Sequence, residues 1–174
     1  GETPRFIGAA HTLLAVRGLL LGAVMFTLGP ALAHAFNADH AAGAFQLAAL
    51  VPVIKGMTHL DFRVAQRRFD NRPQLLVEVV PQAIALAMTW PMIAMTHDYT
   101  AVVWLSVAQA ATSVTLSHAL RKRPYRLAFD AGLLKRQIAF GWPILASALP
   151  LVAVYQGDRL IIARLAGMEE LANY

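Results

Sequence analysis

Residues 18–38 contain no Asp, Glu, Lys or Arg. A helix of about that length is what is needed to cross roughly 30 Å of hydrocarbon at about 1.5 Å rise per residue. The pattern recurs along the chain. Residues 40–54 are also uncharged but short, so their span is expected to run on past Lys55. Residues 79–97 form a third stretch, extended back across Glu78 to Gln74, and residues 99–120 a fourth. Residues 137–157 form a fifth, expected to continue to about Leu165. Lipid offers no water to backbone groups, so such segments must be helices that satisfy their own hydrogen bonds. The expected fold is an all-α, polytopic transmembrane bundle of about five spans. Charged residues make up 14% of the chain, well below the roughly 25% that covers the surface of a soluble domain.

Polar turns at 37–40 and 96–99 separate the spans, and Arg72-Pro73 and Arg123-Pro124 mark further boundaries, because proline disfavours helix in the residue before it. Internal prolines (Pro30, Pro52, Pro81, Pro91, Pro143, Pro150) are tolerable in membrane helices where neighbours satisfy the freed carbonyls.

The basic residues set the orientation. Arg63, Arg67, Arg68 and Arg72 follow the second stretch, and Arg121, Lys122, Arg123, Arg126, Lys135 and Arg136 follow the fourth. These are ten of the fifteen Lys and Arg, while the turns at 37–40 and 96–99 hold none. The loops 61–73 and 121–136 are therefore expected on the cytoplasmic side, and the net charge of +5 reflects topology, not a nucleic-acid surface. Phe129, Leu133, Leu134, Ile138 and Phe140 recur at roughly helical spacing, predicting an amphipathic interfacial helix over 124–141. The expected organisation is four spans over 1–123, that interfacial segment, and a fifth span over 142–174 that emerges outside near Glu169-Glu170. The start at Gly1-Glu2-Thr3-Pro4 is no signal peptide, and both ends suggest an excerpt of a longer protein. The absence of cysteine excludes a disulfide or a thiolate metal site.

No catalytic, nucleotide-binding or metal-ligand motif is present. The six histidines, at 11, 34, 40, 59, 97 and 118, are scattered and read as ordinary interfacial residues. Charge within the spans is what remains, since an ionisable residue at depth is costly and marks function by default. Arg17 lies about two turns into the first span, where it either serves function at depth or snorkels back to the cytoplasmic face. Lys55 lies in the second and shares a helical stripe with His59 and Arg63. Asp158 and Arg159, with Arg164, fall in the outer part of the fifth. Glu78, one turn from Gln82, is a candidate ion-pair partner for Lys55 or Arg17. The set is net basic, and Arg and Lys both recognise phosphate. A cationic cavity among kinked helices suits a pyrophosphate headgroup.

The run Phe140-Gly141-Trp142-Pro143-Ile144-Leu145, followed by Gln156-Gly157-Asp158-Arg159-Leu160-Ile161-Ile162-Ala163-Arg164-Leu165-Ala166-Gly167, resembles the seventh-span region of polysaccharide-biosynthesis flippases. These are Wzx-type members of the MATE-like multidrug/oligosaccharidyl-lipid/polysaccharide exporter superfamily. Arg126-Leu127-Ala128-Phe129-Asp130 and the arginine-rich stretch 62–70 fit the same family, and the resemblance extends over nearly the whole chain as spans three to seven. It implies part of a two-lobed transporter that moves polyprenyl-pyrophosphate-linked glycans across a bacterial inner membrane by alternating access, coupled to H+ or Na+, without a cofactor or metal. It also implies contact with a polysaccharide polymerase and export machinery. By that analogy Arg17, Lys55, Arg159 and Arg164 contact substrate, and Asp158 or Glu78 serves ion coupling. A multidrug or other lipid exporter of the superfamily, and a membrane-embedded glycosyltransferase or polymerase, stand as alternatives. The first would favour acidic cavity residues, the second a larger outer loop.

Overall fold

The computed structural model describes residues 2–165, which form helices joined by turns and one irregular segment, with no strand among them. The order is α1 (Glu2–Ala35), a single 3-10 turn (Asp39–Ala41), α2 (Ala42–Ala48), α3 (Leu50–Gly56), α4 (Asp61–Gln66), α5 (Arg72–Thr96), α6 (Thr100–Ala119) and α7 (Ala131–Leu165). Four helical stretches are long and apolar enough to cross a membrane: Arg5–Ala35, Arg72–Thr96, Thr100–Ala119 and Ala131–Arg159. Most of their side chains face outward. Leu86 and Trp90 of α5 and Phe140 and Val154 of α7 are exposed, and none of the apolar core of α7 is buried. Such a surface is not stable against water and must be covered by lipid or by further apolar helices.

Two sequence expectations change. The expected second span is broken into α2 and α3, which together rise about 22 Å, less than the hydrocarbon thickness. Pro52 supplies the reason: it has no N–H for the carbonyl of Ala48, and its ring crowds that carbonyl, so α2 ends there. The helix then stops at Gly56. Met57 and Thr58 donate to Ile54 and Lys55 in a tightened last turn, and the Thr58 hydroxyl donates to the Lys55 carbonyl at 2.7 Å. The interfacial helix expected over 124–141 is likewise not a separate element. Residues 121–130 form an irregular strap, and from Ala131 the chain is one helix through Trp142-Pro143 to Leu165. The Asp130 carboxylate accepts from the Leu133 N–H at 3.0 Å at its start. The expected outer segment at Glu169-Glu170 lies outside the described residues.

The short α2–α3 pair is wedged between α1 on one side and α6 on the other, while α5 pairs with α6 and, among the described residues, α7 packs chiefly along α1. Small residues permit the α1–α3 approach. A Cβ on Gly18 would lie 2.5 Å from the Pro52 carbonyl oxygen and 2.8 Å from the Gly56 Cα. One turn on, a Cβ on Gly22 would collide with the Val53 side chain. Gly18 and Gly22 form a small-xxx-small face, the means by which membrane helices bring their backbones together.

Helix α7 runs parallel to α1. Near one end the Gln137 amide donates to the Phe6 carbonyl at 3.2 Å, and near the other the Arg164 guanidinium donates to the Ala35 carbonyl at 2.8 Å. These contacts are about 44 Å apart along α1. The bundle therefore has a basic end, holding α4, the strap and the first turns of α1, α5 and α7, and an opposite end where α1 and α7 finish.

Candidate functional site

The sequence-derived candidates do not form one cluster. Arg17 and Lys55 come to the same level, because each is next in sequence to one of the two glycines, Gly18 and Gly56, that touch across α1 and α3. Both side chains are exposed, and among the described residues neither makes a hydrogen bond or ion pair. Arg17 lies six residues, about 9 Å, along α1 from His11 at the basic end. Lys55 occupies the last turn of α3, where a cation is favoured by the carbonyl end of the helix.

Glu78 does not pair with Lys55 or Arg17. Its carboxylate accepts from the Arg63 guanidinium of α4 at 3.2 Å and from the Gln74 amide at 3.2 and 3.3 Å. The reason is the break after α3: α4 turns back across the start of α5 and carries Arg63 to Glu78. Arg159 and Arg164 belong to the opposite end. The Asp158 carboxylate accepts from the Arg159 backbone N–H at 2.8 Å. Arg164 caps the carbonyl end of α1 through Ala35, about 27 Å along α1 from Arg17. No single headgroup touches both pairs of cations at once.

What the structure does bring together is a polar hub at the basic end. Two side chains that sequence reasoning dismissed, His11 and His59, are 1% and 0% exposed. The His11 ring lies 4.9 Å from that of His59 and 4.5 Å from that of Tyr125, and His118 adds a third imidazole 5.5 Å from His59 and 5.2 Å from Tyr125. Every nitrogen of the two buried rings has a backbone partner. His11 Nε2 accepts the Leu60 N–H at 3.1 Å and its Nδ1 donates to the Arg126 carbonyl at 3.2 Å. His59 Nδ1 accepts the Asp61 N–H at 3.2 Å and its Nε2 donates to the Arg123 carbonyl at 3.1 Å. Backbone N–H groups only donate and carbonyls only accept, so this set assigns both rings as neutral, in opposite tautomers. His118 Nε2 donates to the Met57 carbonyl at 2.9 Å.

Asp61 and Thr12 complete the hub. The Asp61 carboxylate accepts the Lys122 and Arg123 backbone N–H groups at 2.8 and 2.9 Å. Thr12 donates its hydroxyl to the Gly8 and Ala128 carbonyls and accepts from the Ala128 N–H at 3.0 Å. The irregular strap is thus satisfied by side chains of α1 and α4 instead of by its own helix, as buried backbone requires. Burial pushes the His59 imidazole below its ordinary range, against the pull of Asp61, and pushes the Tyr125 phenol up. No sequence signal marks this cluster: its members are far apart in the chain, and only the α3–α4 corner and the strap join them. Among the described residues no group of His and carboxylates has the geometry to hold a metal ion.

Apolar helices of membrane-spanning length, an outward-facing apolar surface and basic loops gathered at one end define a multi-pass, membrane-embedded protein. The family model for polysaccharide biosynthesis protein matches residues 2–174. The chain belongs to that family. No curated protein and no solved structure matches it.

Proposed function

We propose that the chain is part of a transporter, not an enzyme, that flips polyprenyl-pyrophosphate-linked glycans from the cytoplasmic to the outer leaflet of a bacterial inner membrane by alternating access. The observation that carries this reading is the pair Arg17 and Lys55. Two cations without counter-ions among the described residues stand at one level of a membrane bundle in a polysaccharide-biosynthesis family. Cations within a membrane bundle are costly unless an anion meets them, and a pyrophosphate headgroup is the anion this family's chemistry supplies. The basic end is cytoplasmic by the distribution of Lys and Arg, so Arg17 and Lys55 lie where a substrate enters from the inner leaflet. Arg159 and Arg164, about 27 Å further on, lie where it leaves. Arg164 spends one donor on Ala35 and keeps the rest of its fork for phosphate. Glu78 and Asp158, the sole acids of α5 and α7, are the groups for H+ or Na+ coupling. A polysaccharide polymerase and export machinery are the partners that would consume the translocated unit.

The test is deletion of the gene for the full-length protein, followed by leaflet-selective labelling and mass spectrometry of polyprenyl-linked lipids. Inner-leaflet glycan lipids are expected to accumulate at least tenfold and to fall on complementation. An unchanged lipid profile with unchanged surface polysaccharide would move the assignment to a drug or other lipid exporter.

A further inference from the structure

We propose that His59, with Asp61 as its counter-ion and His11 against its ring, is a proton-binding site that latches the start of the strap (residues 121–130) onto α4. The proposal does not depend on the transport reading, since it rests on the hydrogen-bond set alone.

The neutral hub has no spare capacity. Each buried imidazole uses one nitrogen as acceptor and the other as donor, all to backbone. A proton arriving at His59 Nδ1 converts that acceptor into a donor facing the Asp61 N–H, and the two donors repel. The one acceptor within reach is Asp61 Oδ2, 3.9 Å away. That same oxygen holds the Lys122 and Arg123 N–H groups at 2.8 and 2.9 Å. Protonation therefore gives one carboxylate oxygen three claimants, and the imidazolium, a charged donor, outcompetes the neutral amides. The strap loses its anchor on α4. Protonation of His11 Nε2 would remove the acceptor of the Leu60 N–H at the start of α4 and leave the His11 bond to the Arg126 carbonyl in place.

The surrounding charges fit a site that takes up a proton reluctantly and then moves. From α1 the facing groups are His11 and the neutral Thr12. From α4 it is Asp61, which favours the proton. From α6 it is His118, 5.5 Å from the His59 ring. From the strap they are Arg121, which opposes it, Arg123, whose carbonyl accepts from His59 Nε2 and favours it, Arg126, which meets the hub through its carbonyl, and the Tyr125 phenol, 5.9 Å away. The Arg123 guanidinium stands 3.9 Å from Asp61 Oδ1. Its buried Nη1 has no hydrogen-bond partner, so once Oδ2 is taken this longer ion pair is what Asp61 keeps with the strap. Access exists: a cleft of about 220 Å³ lined by Asp61, Arg68, Asp70, Lys122 and Arg123 reaches the counter-ion from the basic end. The strap joins α6 to α7, so its loosening at α4 alters that connection while Gln137 and Arg164 keep α7 on α1.

This chain has no cysteine, so once any cysteine elsewhere in the full-length protein is replaced, spin labels can be placed at chosen positions. Labels at Leu127 of the strap and Leu75 of α5, both exposed, report the latch in full-length protein in nanodiscs. The distance population seen at about pH 7.5 is expected to be lost by about pH 5, a range in which an imidazole titrates. In His11→Gln/His59→Gln, which keeps a neutral amide at each position, the distances should not change with pH. Identical distances at both pH values in the wild type, or the same shift in the double variant, would overturn the proposal. If the double variant does not fold, ¹⁵N-histidine NMR of the wild type decides. Neutral His59 protonated at Nε2 near pH 7.5, becoming doubly protonated as the distances change, supports the latch. Doubly protonated His59 near pH 7.5, or strap movement while it stays neutral, sinks it.

Discussion

Replacing both Arg17 and Lys55 by alanine in the full-length protein is expected to lower glycan-lipid export by roughly two to four orders of magnitude. Each cation that meets phosphate forms charge-assisted hydrogen bonds worth about 1.5–3 kcal/mol, and about 1.4 kcal/mol is tenfold in rate. The fold should be indifferent. Neither side chain has a hydrogen-bond or ion-pair partner among the described residues, and exposed substitutions of that kind stay within about 0.5 kcal/mol. Membrane level and thermal stability of the double variant should therefore match the wild type. Arg17→Lys is expected to recover part of the activity, because it restores the charge without the bidentate fork. Export at wild-type level in the double alanine variant, with protein present in the membrane, would remove the cationic-entry account. Loss of the protein itself would show that the two side chains hold the bundle instead.

Gly18→Leu is the second large effect, and it acts on the fold. The first atom of any side chain at position 18 meets the Pro52 carbonyl oxygen at 2.5 Å and Gly56 Cα at 2.8 Å. These are backbone atoms that no rotamer change can move, so α1 and α3 must separate. Overpacking in a core that can relax costs about 1–3 kcal/mol; here the cost is at least that, and the whole wedge between α1 and α6 is lost with it. The variant should show lower accumulation in the membrane and a lower melting temperature in detergent. Gly43→Leu is the control, since a Cβ there meets nothing within 4 Å. Equal stability of the two variants would contradict the close α1–α3 contact.

The long helices were legible because lipid imposes a composition that no other solvent requires: α5, α6 and the apolar part of α7 fall on the uncharged runs. The shortened second span was legible too, in Pro52 and in a run too short to cross, yet extending it past Lys55 outweighed the proline. The Gly18–Gly22 spacing is a readable packing signal that charge counting passed over. Glu78 went to Arg63 and not to Lys55 because the α3–α4 corner reverses the chain, and no periodicity announces a corner. The histidine hub was the least legible part. His11, His59 and His118 sit on three different elements, and their partners are backbone groups of a strap whose irregular path no local propensity encodes.

The most direct test of the account is translocation by purified full-length protein in liposomes carrying a polyprenyl-pyrophosphate-linked oligosaccharide with a fluorescent sugar. A membrane-impermeant quencher added outside reads which leaflet holds the label. Protein-containing vesicles should lose the protected fraction at a rate well above protein-free vesicles, and the Arg17→Ala/Lys55→Ala variant should not. A protected fraction that persists alike with wild-type protein, variant and empty liposomes, in the presence and absence of H+ and Na+ gradients, would contradict the assignment as a flippase.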